Sequence, residues 1–345
     1  MNIKETLKIL CEPAGVAGSE NAASEAARKL LLEYMPNAEV DKFGAVIGSI
    51  KHDENLPLLL LDAHIDEIGM IVSFIDEKGF IKVGRAGGVD RRALPAAAVT
   101  IWGKEPVKGV VCTLPPHVQK DENKVIKEEE IAIDCGYSVG ADSISARDKL
   151  EKLISLGDTI TIDAELTELL NDRITARALD DRAGVCAILY ALNLLKDKKL
   201  KYNLAVSFSS QEEIGCRGAG ISAYNINPDL AISIDVSYGD YPKAAENKTW
   251  KLGNGVMLGC APSLDRGLFE ELKNIANDKN IKCQIEVMSG KTSTDADVIG
   301  VTKSGVKCAL LSIPLRNMHT PAETLQVSDI EATGRLIAEF ARGEK

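Results

Sequence analysis

Hydrophobic residues near the amino terminus recur at helical spacing and are followed by an apolar run. Ile3, Leu7 and Leu10 lie three to four residues apart, which predicts a first helix. Ser19 is placed to cap a second helix. The apolar run from 56 to 63 is typical of a strand buried on both faces. The chain therefore begins with the pattern of an α/β protein.

The pattern changes at about residue 67. Short apolar stretches alternate there with glycine, proline and charged residues, and no run has the length and periodicity of a helix. The stretches lie at 68–75, 80–83, 97–102, 107–114 and 158–163. Such short, evenly spaced segments predict a small β-rich domain.

Helical and strand patterns alternate again after about residue 165. Helices are predicted at 181–195, 267–278 and 329–341, the last with a capping-box sequence from Ser328 to Glu331, and strands at 203–209, 230–235, 256–259, 283–288 and 308–313. This alternation predicts a three-layer α/β domain. We expect residues 1–66 and 165–345 to form this catalytic domain and residues 67–164 to form an inserted β-rich domain.

Composition and charge narrow the possible functions. The net charge of −10 disfavours binding to nucleic acid or to an anionic membrane surface. Eight cysteines are scattered without a CxxC pair, which suits a reducing compartment. The first residues carry charges where a signal peptide needs an apolar region, and no apolar stretch approaches the length of a membrane span. We expect a cytoplasmic protein.

Acidic residues and histidines follow the ends of several predicted buried strands. His64, the pair Glu212–Glu213, Asp235 and His319 lie at or after the ends of such strands, and the pair Asp180–Asp181 lies at the start of a predicted helix. The carboxyl ends of strands in an open α/β sheet form the usual ligand-binding edge, so we expect these side chains to converge.

The chemical types in this set indicate a metal centre. Two imidazoles and three carboxylates, without thiolates, fit zinc, cobalt or manganese better than calcium or an iron–sulfur cluster. Five ligands exceed the three that one catalytic zinc usually takes, and they suit two ions that share a carboxylate. Adjacent side chains in extended backbone point in opposite directions, so one of Glu212 and Glu213 can bind metal while its neighbour stays free as a general base.

Each feature also has a structural interpretation when taken singly. His64 and Asp66 could form a simple hydrogen bond, although a carboxylate near an imidazole also orients metal-binding histidines. Asp180 and Asp181 could simply stabilise the amino terminus of a helix, without binding metal. The Glu212–Glu213 pair could be a solvated turn. Their coincidence at one sheet edge favours the metal centre.

Six short segments spread over the chain resemble a known family, the dinuclear-metal aminopeptidases of metallopeptidase family 42. Relatives in that family include glutamyl and deblocking aminopeptidases and proteins labelled cellulase M or endoglucanase. The segments are Asp62-Ala63-His64-Ile65-Asp66-Glu67-Ile68-Gly69, Ala178-Leu179-Asp180-Asp181-Arg182, Gln211-Glu212-Glu213-Ile214-Gly215, Ile234-Asp235-Val236, Thr294-Asp295-Ala296 and Met318-His319-Thr320-Pro321. Residues 87–92 and 114–117 resemble the family's inserted dimerisation domain, but residues 95–98 replace a stretch that contains glycine in the family.

The resemblance implies a zinc-exopeptidase-like fold and a role for each residue. Asp180 would bridge two divalent ions, His64 and Asp235 would complete one site, and Glu213 and His319 would complete the other. Glu212 would be the general base and Asp66 would orient His64. The bond between Asp180 and Asp181 would be a cis peptide. The family's usual assembly is a tetrahedral shell of twelve subunits built from dimers, and its substrates are peptides.

Two other activities deserve comparison with an aminopeptidase. An endo-1,4-β-glucanase would need only two carboxyl groups and would leave His64 and His319 without a role. A deacylase or carboxypeptidase could use the same metals, but the insert and the segment 211–215 favour the aminopeptidase. A non-catalytic metal scaffold would have no use for Glu212.

Overall fold

The computed structural model describes residues 1–118, 125–137 and 145–343. The chain forms two compact units. The first comprises residues 1–66, 165–318 and 322–345, and the second comprises residues 67–164 and 319–321. None of the helices in the described part of the chain combines the length and the hydropathy that crossing a bilayer requires.

The described residues form eight α-helices and seventeen β-strands. The helices are α1 (Ile3–Cys11), α2 (Asn21–Leu31), α3 (Ala146–Leu150), α4 (Leu179–Leu195), α5 (Arg217–Ile226), α6 (Arg266–Asp278), α7 (Ala296–Ile299) and α8 (Val327–Ala341). The strands are β1 (Glu39–Val40), β2 (Val46–Ile50), β3 (Leu58–His64), β4 (Gly69–Ile75), β5 (Ile81–Ala86), β6 (Ala98–Trp102), β7 (Pro106–Val111), β8 (Ala132–Asp134), β9 (Thr159–Ile162), β10 (Thr167–Leu169), β11 (Arg173–Ala176), β12 (Asn203–Ser209), β13 (Leu230–Tyr238), β14 (Val256–Cys260), β15 (Cys283–Val287), β16 (Lys307–Leu315) and β17 (Glu323–Gln326).

An eight-stranded mixed sheet organises the first unit. Its strand order is β1-β2-β12-β3-β13-β16-β14-β15, and the four central strands β12, β3, β13 and β16 are parallel to one another. These strands are buried along nearly their whole length because both faces of the sheet are covered. A small sheet of β10, β11 and β17 accompanies it.

Alternate residues of the central strands pack into two separate layers of core. Leu59 and Leu61 of β3 belong to the larger core, which includes residues from α1, α2, α4, α6 and α8. Leu60 points to the other face, where α5 and α7 contribute small residues such as Ala219 and Ala296. Helices therefore cover both faces of the sheet, which confirms the predicted three-layer α/β architecture with a β-rich insertion.

The second unit is a closed, six-stranded antiparallel barrel. Its strands follow the order β4-β5-β8-β7-β6-β9, and β9 pairs back onto β4. Branched residues such as Val72, Ile81 and Ile133 fill its interior. Closure leaves the barrel without free strand edges. Ala96, in the stretch where the family resemblance leads us to expect glycine, adopts the left-handed conformation with φ of 63°.

Two predicted helix starts are wrong. Helix α2 begins at Asn21 with Glu20 as its N-cap, rather than after Ser19. Helix α8 begins at Val327 with Gln326 as its N-cap, so no capping box forms at Ser328. At both helix starts a carboxylate accepts hydrogen bonds from backbone N–H groups outside the helix. Glu20 accepts from the N–H of Gly18, and Asp329 accepts from the N–H groups of residues 253 and 255.

Candidate metal centre

The register of the central strands brings His64 and Asp235 to one edge of the sheet. His64 is the last residue of β3 and lies beside Ser209 of β12. On the other side of β3, Asp62 pairs with Ser233 of β13. Two residues further along each parallel strand, Asp235 therefore lies opposite His64. Polar residues at the ends of neighbouring parallel strands are thus brought close together.

His64 contacts carboxylates through one ring nitrogen and a backbone carbonyl through the other. Its Nε2 lies 3.1 Å from Oδ1 of Asp180 and 4.0 Å from Oδ1 of Asp235. One ligand atom from each of these three buried residues lies within 4.8 Å of the others. Its Nδ1 lies 3.1 Å from the carbonyl oxygen of Asp66. A proton on Nδ1 would satisfy that carbonyl and leave the lone pair of Nε2 directed at the carboxylates, as a metal ligand requires.

Asp180 enters this group from the first turn of α4. Asp180 and Asp181 have non-helical backbone angles at the start of the helix. The peptide bond between them is cis, which confirms the expectation from the family resemblance. The N–H of Asp180 donates to Oε2 of Glu323 at 3.1 Å, and this bond holds the turn in place.

The charges of the group favour a bound cation. Burial raises the pKa of Asp235 well above its ordinary value, and the neighbouring charge of Asp181 raises it further. Burial also raises the pKa of Asp181. Burial alone would lower the pKa of His64, but its contacts with Asp180 and Asp66 outweigh that effect and the pKa ends well above normal. One imidazole cannot neutralise several buried carboxylates, and divalent cations bound by these oxygen and nitrogen donors would do so.

The segment from 211 to 213 is held by the carboxylate of Asp66. Its Oδ1 accepts from the N–H of Glu212 at 3.0 Å, and its Oδ2 accepts from the N–H of Glu213 at 3.1 Å. Oδ1 lies 3.6 Å from Nδ1 of His64, whereas the carbonyl oxygen of Asp66 lies 3.1 Å from that nitrogen. The carboxylate of Asp66 therefore acts chiefly on the backbone that carries the two glutamates.

The assumption of extended backbone at these two glutamates is wrong. Strand β12 ends at Ser209, and the carbonyl oxygen of Glu212 accepts from the N–H groups of Gly215 and Cys216 at 2.8 and 2.9 Å. The chain turns here because Gln211 takes a left-handed φ of 58°. The alternation of side chains along a strand thus gives no reason why Glu212 and Glu213 should have separate roles.

The Glu212 side chain lies beside a thiol and other acidic groups. Its Oε1 accepts from Sγ of Cys216 at 3.3 Å. Burial raises the pKa of Glu212, and the nearby imidazole of His64 partly opposes the shift. A carboxylate with a raised pKa binds a proton more readily, which favours a role as a general base.

His319 belongs to the second unit and is anchored there by main-chain contacts. Its Nδ1 lies 3.1 Å from the carbonyl oxygen of Gly88, and its own carbonyl oxygen accepts from the N–H of Asp90. A Cβ atom on Gly88 would lie 2.5 Å from the same Nδ1, so only glycine leaves room for the ring. The Gly88 carbonyl can hold His319 in the tautomer with Nε2 available, as the Asp66 carbonyl does for His64.

Two further buried side chains support the site and were not identified from the sequence. Arg182 donates to the carbonyl oxygens of Ile65, Leu10 and Pro13 at 3.1, 2.7 and 2.7 Å, and so links the segment after β3 to the end of α1. Glu20 accepts a backbone hydrogen bond from Gln211, and burial raises its pKa to about 7. Most of their partners are main-chain atoms distant in sequence, which leave no motif to find.

Known proteins are similar to this chain in both sequence and fold. The sequence model described as M42 glutamyl aminopeptidase matches residues 44–336. Lysyl aminopeptidase of Pyrococcus furiosus is 30% identical over 338 residues, which cover 96% of this chain and 94% of the relative. An aminopeptidase structure from Desulfurococcus kamchatkensis superposes with a TM-score of 0.91 at 32% identity, over 99% of this chain and 95% of that one. The TET1 peptidase of Pyrococcus horikoshii, described as able to assemble into a tetrahedron or a large octahedral shell, has a TM-score of 0.83 at 27% identity, over 99% and 100% of the two chains.

Proposed function

Because the chain belongs to the M42 glutamyl aminopeptidase family and is therefore a hydrolase of peptide bonds, we propose that it removes amino-terminal residues with the help of two divalent cations. The observation that carries the proposal is the buried group of His64, Asp180 and Asp235, whose ligand atoms lie within 4.8 Å of one another. Ionised carboxylates are costly to bury without a compensating charge, and this group supplies the donors that zinc and cobalt prefer.

Each of the five metal ligands has a proposed place. His64 and Asp235 hold one ion, Glu213 and His319 hold the other, and Asp180 is shared by both. Zinc and cobalt suit the mixed imidazole and carboxylate donors best, and manganese is the alternative. When bound, a pair of such ions lowers the pKa of an attacking water and polarises the scissile carbonyl.

Glu212 is the protein group that handles the proton, and Asp66 positions it. A carboxylate oxygen of Glu212 takes the proton of the attacking water and passes it to the nitrogen of the departing amine. Asp66 keeps Glu212 in place, since its carboxylate accepts from the N–H groups of residues 212 and 213. Burial of Glu212 supports this role because it raises the pKa of the side chain and with it the affinity for a proton.

The glycosidase and deacylase alternatives are not favoured. A glucanase would use two carboxyl groups without metal, and the carboxylates here surround an imidazole instead. Membership in an aminopeptidase family also disfavours a deacylase or carboxypeptidase. A panel of aminoacyl, N-acyl and cellulose-derived substrates, each tested with and without a chelator, separates the three. Activity on a glucan that survives chelation would contradict the proposal.

Glu212→Gln tests the proposed base directly. The amide cannot take a proton from water, so we expect turnover of an aminoacyl substrate to fall by about 10²- to 10⁴-fold. Metal content after dialysis should stay at the value of the unmodified protein. Glu33→Gln, the same change at an exposed position, should alter neither quantity. Near-normal turnover in Glu212→Gln would refute the assignment.

Self-association through the barrel unit is part of the proposal. Apolar side chains lie exposed on this unit, including Leu114 at 66%, Phe74 at 48% and Val110 at 48%. Exposed apolar groups on a closed barrel suit a dimer interface, from which a twelve-subunit tetrahedral shell can be built. Light scattering after size exclusion measures the mass, and a monomer at micromolar concentration would contradict the proposal.

A cytoplasmic location completes the proposal. All eight cysteines, each of which lies within the described residues, are free thiols. Free thiols in this number suit a reducing compartment. Cell fractionation with an antibody would test the location, and recovery outside the cytoplasm would contradict it.

A further inference from the structure

A groove lies along helix α5 in the first unit. Its volume is about 460 Å³. Most of its lining comes from residues at helical spacing on α5, and α7 contributes one residue. The lining includes Cys216, Arg217, Gly220, Ile221, Tyr224 and Val298. None of the five proposed metal ligands lines this groove.

One end of the groove adjoins the proposed general base. Cys216 lines the groove, and its Sγ donates to Oε1 of Glu212 at 3.3 Å. In the proposed reaction that carboxylate gives a proton to the nitrogen of the departing amine, which must then lie within hydrogen-bond distance of it. The rest of the departing peptide is attached to this nitrogen. A cavity that begins at Cys216 is therefore within reach of that segment.

Gly220 keeps the groove open. Glycine is unfavourable inside a helix, and packing does not require it at this position, because a Cβ atom would make only an ordinary contact with Val298 at 3.8 Å. Gly218 differs, since a Cβ atom there would overlap the backbone of Ser210. A large side chain at position 220 would instead project into the groove, which Gly220 lines. Space for a ligand explains this glycine where packing does not.

The groove combines apolar surface with positive charge. Ile221 and Tyr224 are exposed, and Val298 is partly buried. Among the described residues that line the groove, Arg217 carries the one formal charge. A second cation lies close by, because Nζ of Lys303 is 4.6 Å from the centroid of the Tyr224 ring. In a chain with a net charge of −10, such a surface suits an apolar ligand that carries a carboxylate.

The length of the groove sets the size of the ligand. Arg217 and Tyr224 are seven residues apart on α5, which corresponds to roughly 10 Å along the helix axis. An extended peptide rises about 3.3 Å per residue, so the groove accommodates about three residues.

We propose that this groove binds the departing segment of short peptide substrates, with apolar side chains against Ile221 and Tyr224 and the terminal carboxylate near Arg217 and Lys303. The inference rests on the proposed aminopeptidase function, because it assigns the groove to the segment that follows the scissile bond. With one residue before that bond, the preferred substrates are peptides of about four residues with a free carboxyl terminus.

Tetrapeptides that end in a carboxylate or in an amide test the role of charge. The substrate begins with an amino acid that the enzyme accepts and continues with Ala-Ala-Phe. We expect kcat/KM for the acid to exceed that for the amide by about 3- to 10-fold, and Arg217→Gln combined with Lys303→Gln should remove this preference, chiefly through KM. Arg335→Gln combined with Lys248→Gln changes two exposed cations elsewhere and should keep the preference. Equal kcat/KM for acid and amide in the unmodified protein would overturn the carboxylate contact.

Gly220→Leu tests the groove itself. Leucine favours a helix, so the variant should keep its unfolding midpoint. The new side chain should block the groove, and the ratio of kcat/KM for the tetrapeptide to kcat/KM for an aminoacyl nitroanilide should fall by about tenfold or more. The nitroanilide has no amino acid after the scissile bond and serves as the reference substrate. A ratio equal to that of the unmodified protein would refute the groove.

Calorimetric titration separates failure of the groove from failure of the proposed function. The product peptide Ala-Ala-Phe and its amide are titrated into the protein, a measurement that needs no turnover. Tighter binding of the acid, lost in Gly220→Leu, would support the groove even if the nitroanilide is not hydrolysed. Equal binding of acid and amide, or binding unchanged in Gly220→Leu, would overturn it. Absence of nitroanilide hydrolysis with zinc or cobalt would contradict the proposed function instead.

Discussion

Asp66→Asn separates the two contacts that this residue makes. The backbone carbonyl that faces Nδ1 of His64 is unchanged by the substitution. The side-chain amide, in contrast, keeps one acceptor oxygen and replaces the other with an NH2 group. That group would face the N–H of Glu212 or Glu213, which are 3.0 and 3.1 Å from the present oxygens. The substitution therefore disturbs the glutamate segment and spares the tautomer of His64.

The size of the effect follows from the hydrogen bond that is lost. A bond to a charged group contributes about 1.5–3 kcal/mol. If that free energy is needed to keep Glu212 in its working position, kcat should fall by roughly 10- to 150-fold, since about 1.4 kcal/mol corresponds to a factor of ten. The protein should keep its affinity for the ion assigned to His64 and Asp235, while its affinity for the ion assigned to Glu213 should fall.

Stepwise competition with a chelator and steady-state kinetics at saturating metal measure the two effects separately. Asp53→Asn, the same change at an exposed position, serves as the control and should behave like the unmodified protein. If Asp66→Asn weakens both ions equally and leaves kcat unchanged at saturating metal, the carboxylate acts on His64 and the reasoning is refuted.

Three further substitutions test the surroundings of the site. Burial raises the pKa of Glu20 from its ordinary value of 4.5 to about 7. Between these two pH values the folded chain keeps a proton that the unfolded chain releases, so the stability of the folded chain falls as pH rises. Glu20→Gln lacks this titration, and urea unfolding should show its free energy of unfolding gaining up to about 3 kcal/mol relative to the unmodified protein between pH 4.5 and pH 8; equal pH dependence in both proteins would contradict this. In Gly184→Ala the new Cβ would lie 2.4 Å from Oδ2 of buried Asp181, and we expect a loss of about 1–3 kcal/mol of stability, so an unchanged unfolding midpoint would refute the crowding. In Gly88→Ala the new Cβ would displace the ring of His319, and metal analysis should find one ion weakened by about 10- to 100-fold, whereas full retention of both ions would exclude His319 as a ligand.

The central strands were predictable because both of their faces are buried. The strand predicted at 203–209 is observed as Asn203–Ser209, and the run ending in Asp235 is observed within Leu230–Tyr238. Helix α5 was missed, since glycines obscure its pattern. Gly218 is required there because a Cβ atom would lie 2.4 Å from the carbonyl oxygen of Ser210. Tertiary packing, rather than helix propensity, selects that residue.

The same distinction applies to the candidate site. The rule that ligands gather at strand ends pointed to His64 and Asp235, and the structure brings them together with Asp180. Arg182 and Glu20 could not be found in this way, because their partners are main-chain atoms that the fold brings near. The turn at Glu212 was also missed, since a left-handed Gln211 leaves no pattern in the sequence.

Anomalous diffraction from a zinc-loaded crystal tests the central claim most directly. We predict two strong peaks in each subunit at the zinc absorption edge. One should contact His64 and Asp235, the other should contact Glu213 and His319, and Asp180 should touch both. A single peak, or peaks whose ligands do not include Asp180 and His64, would contradict the proposed metal centre.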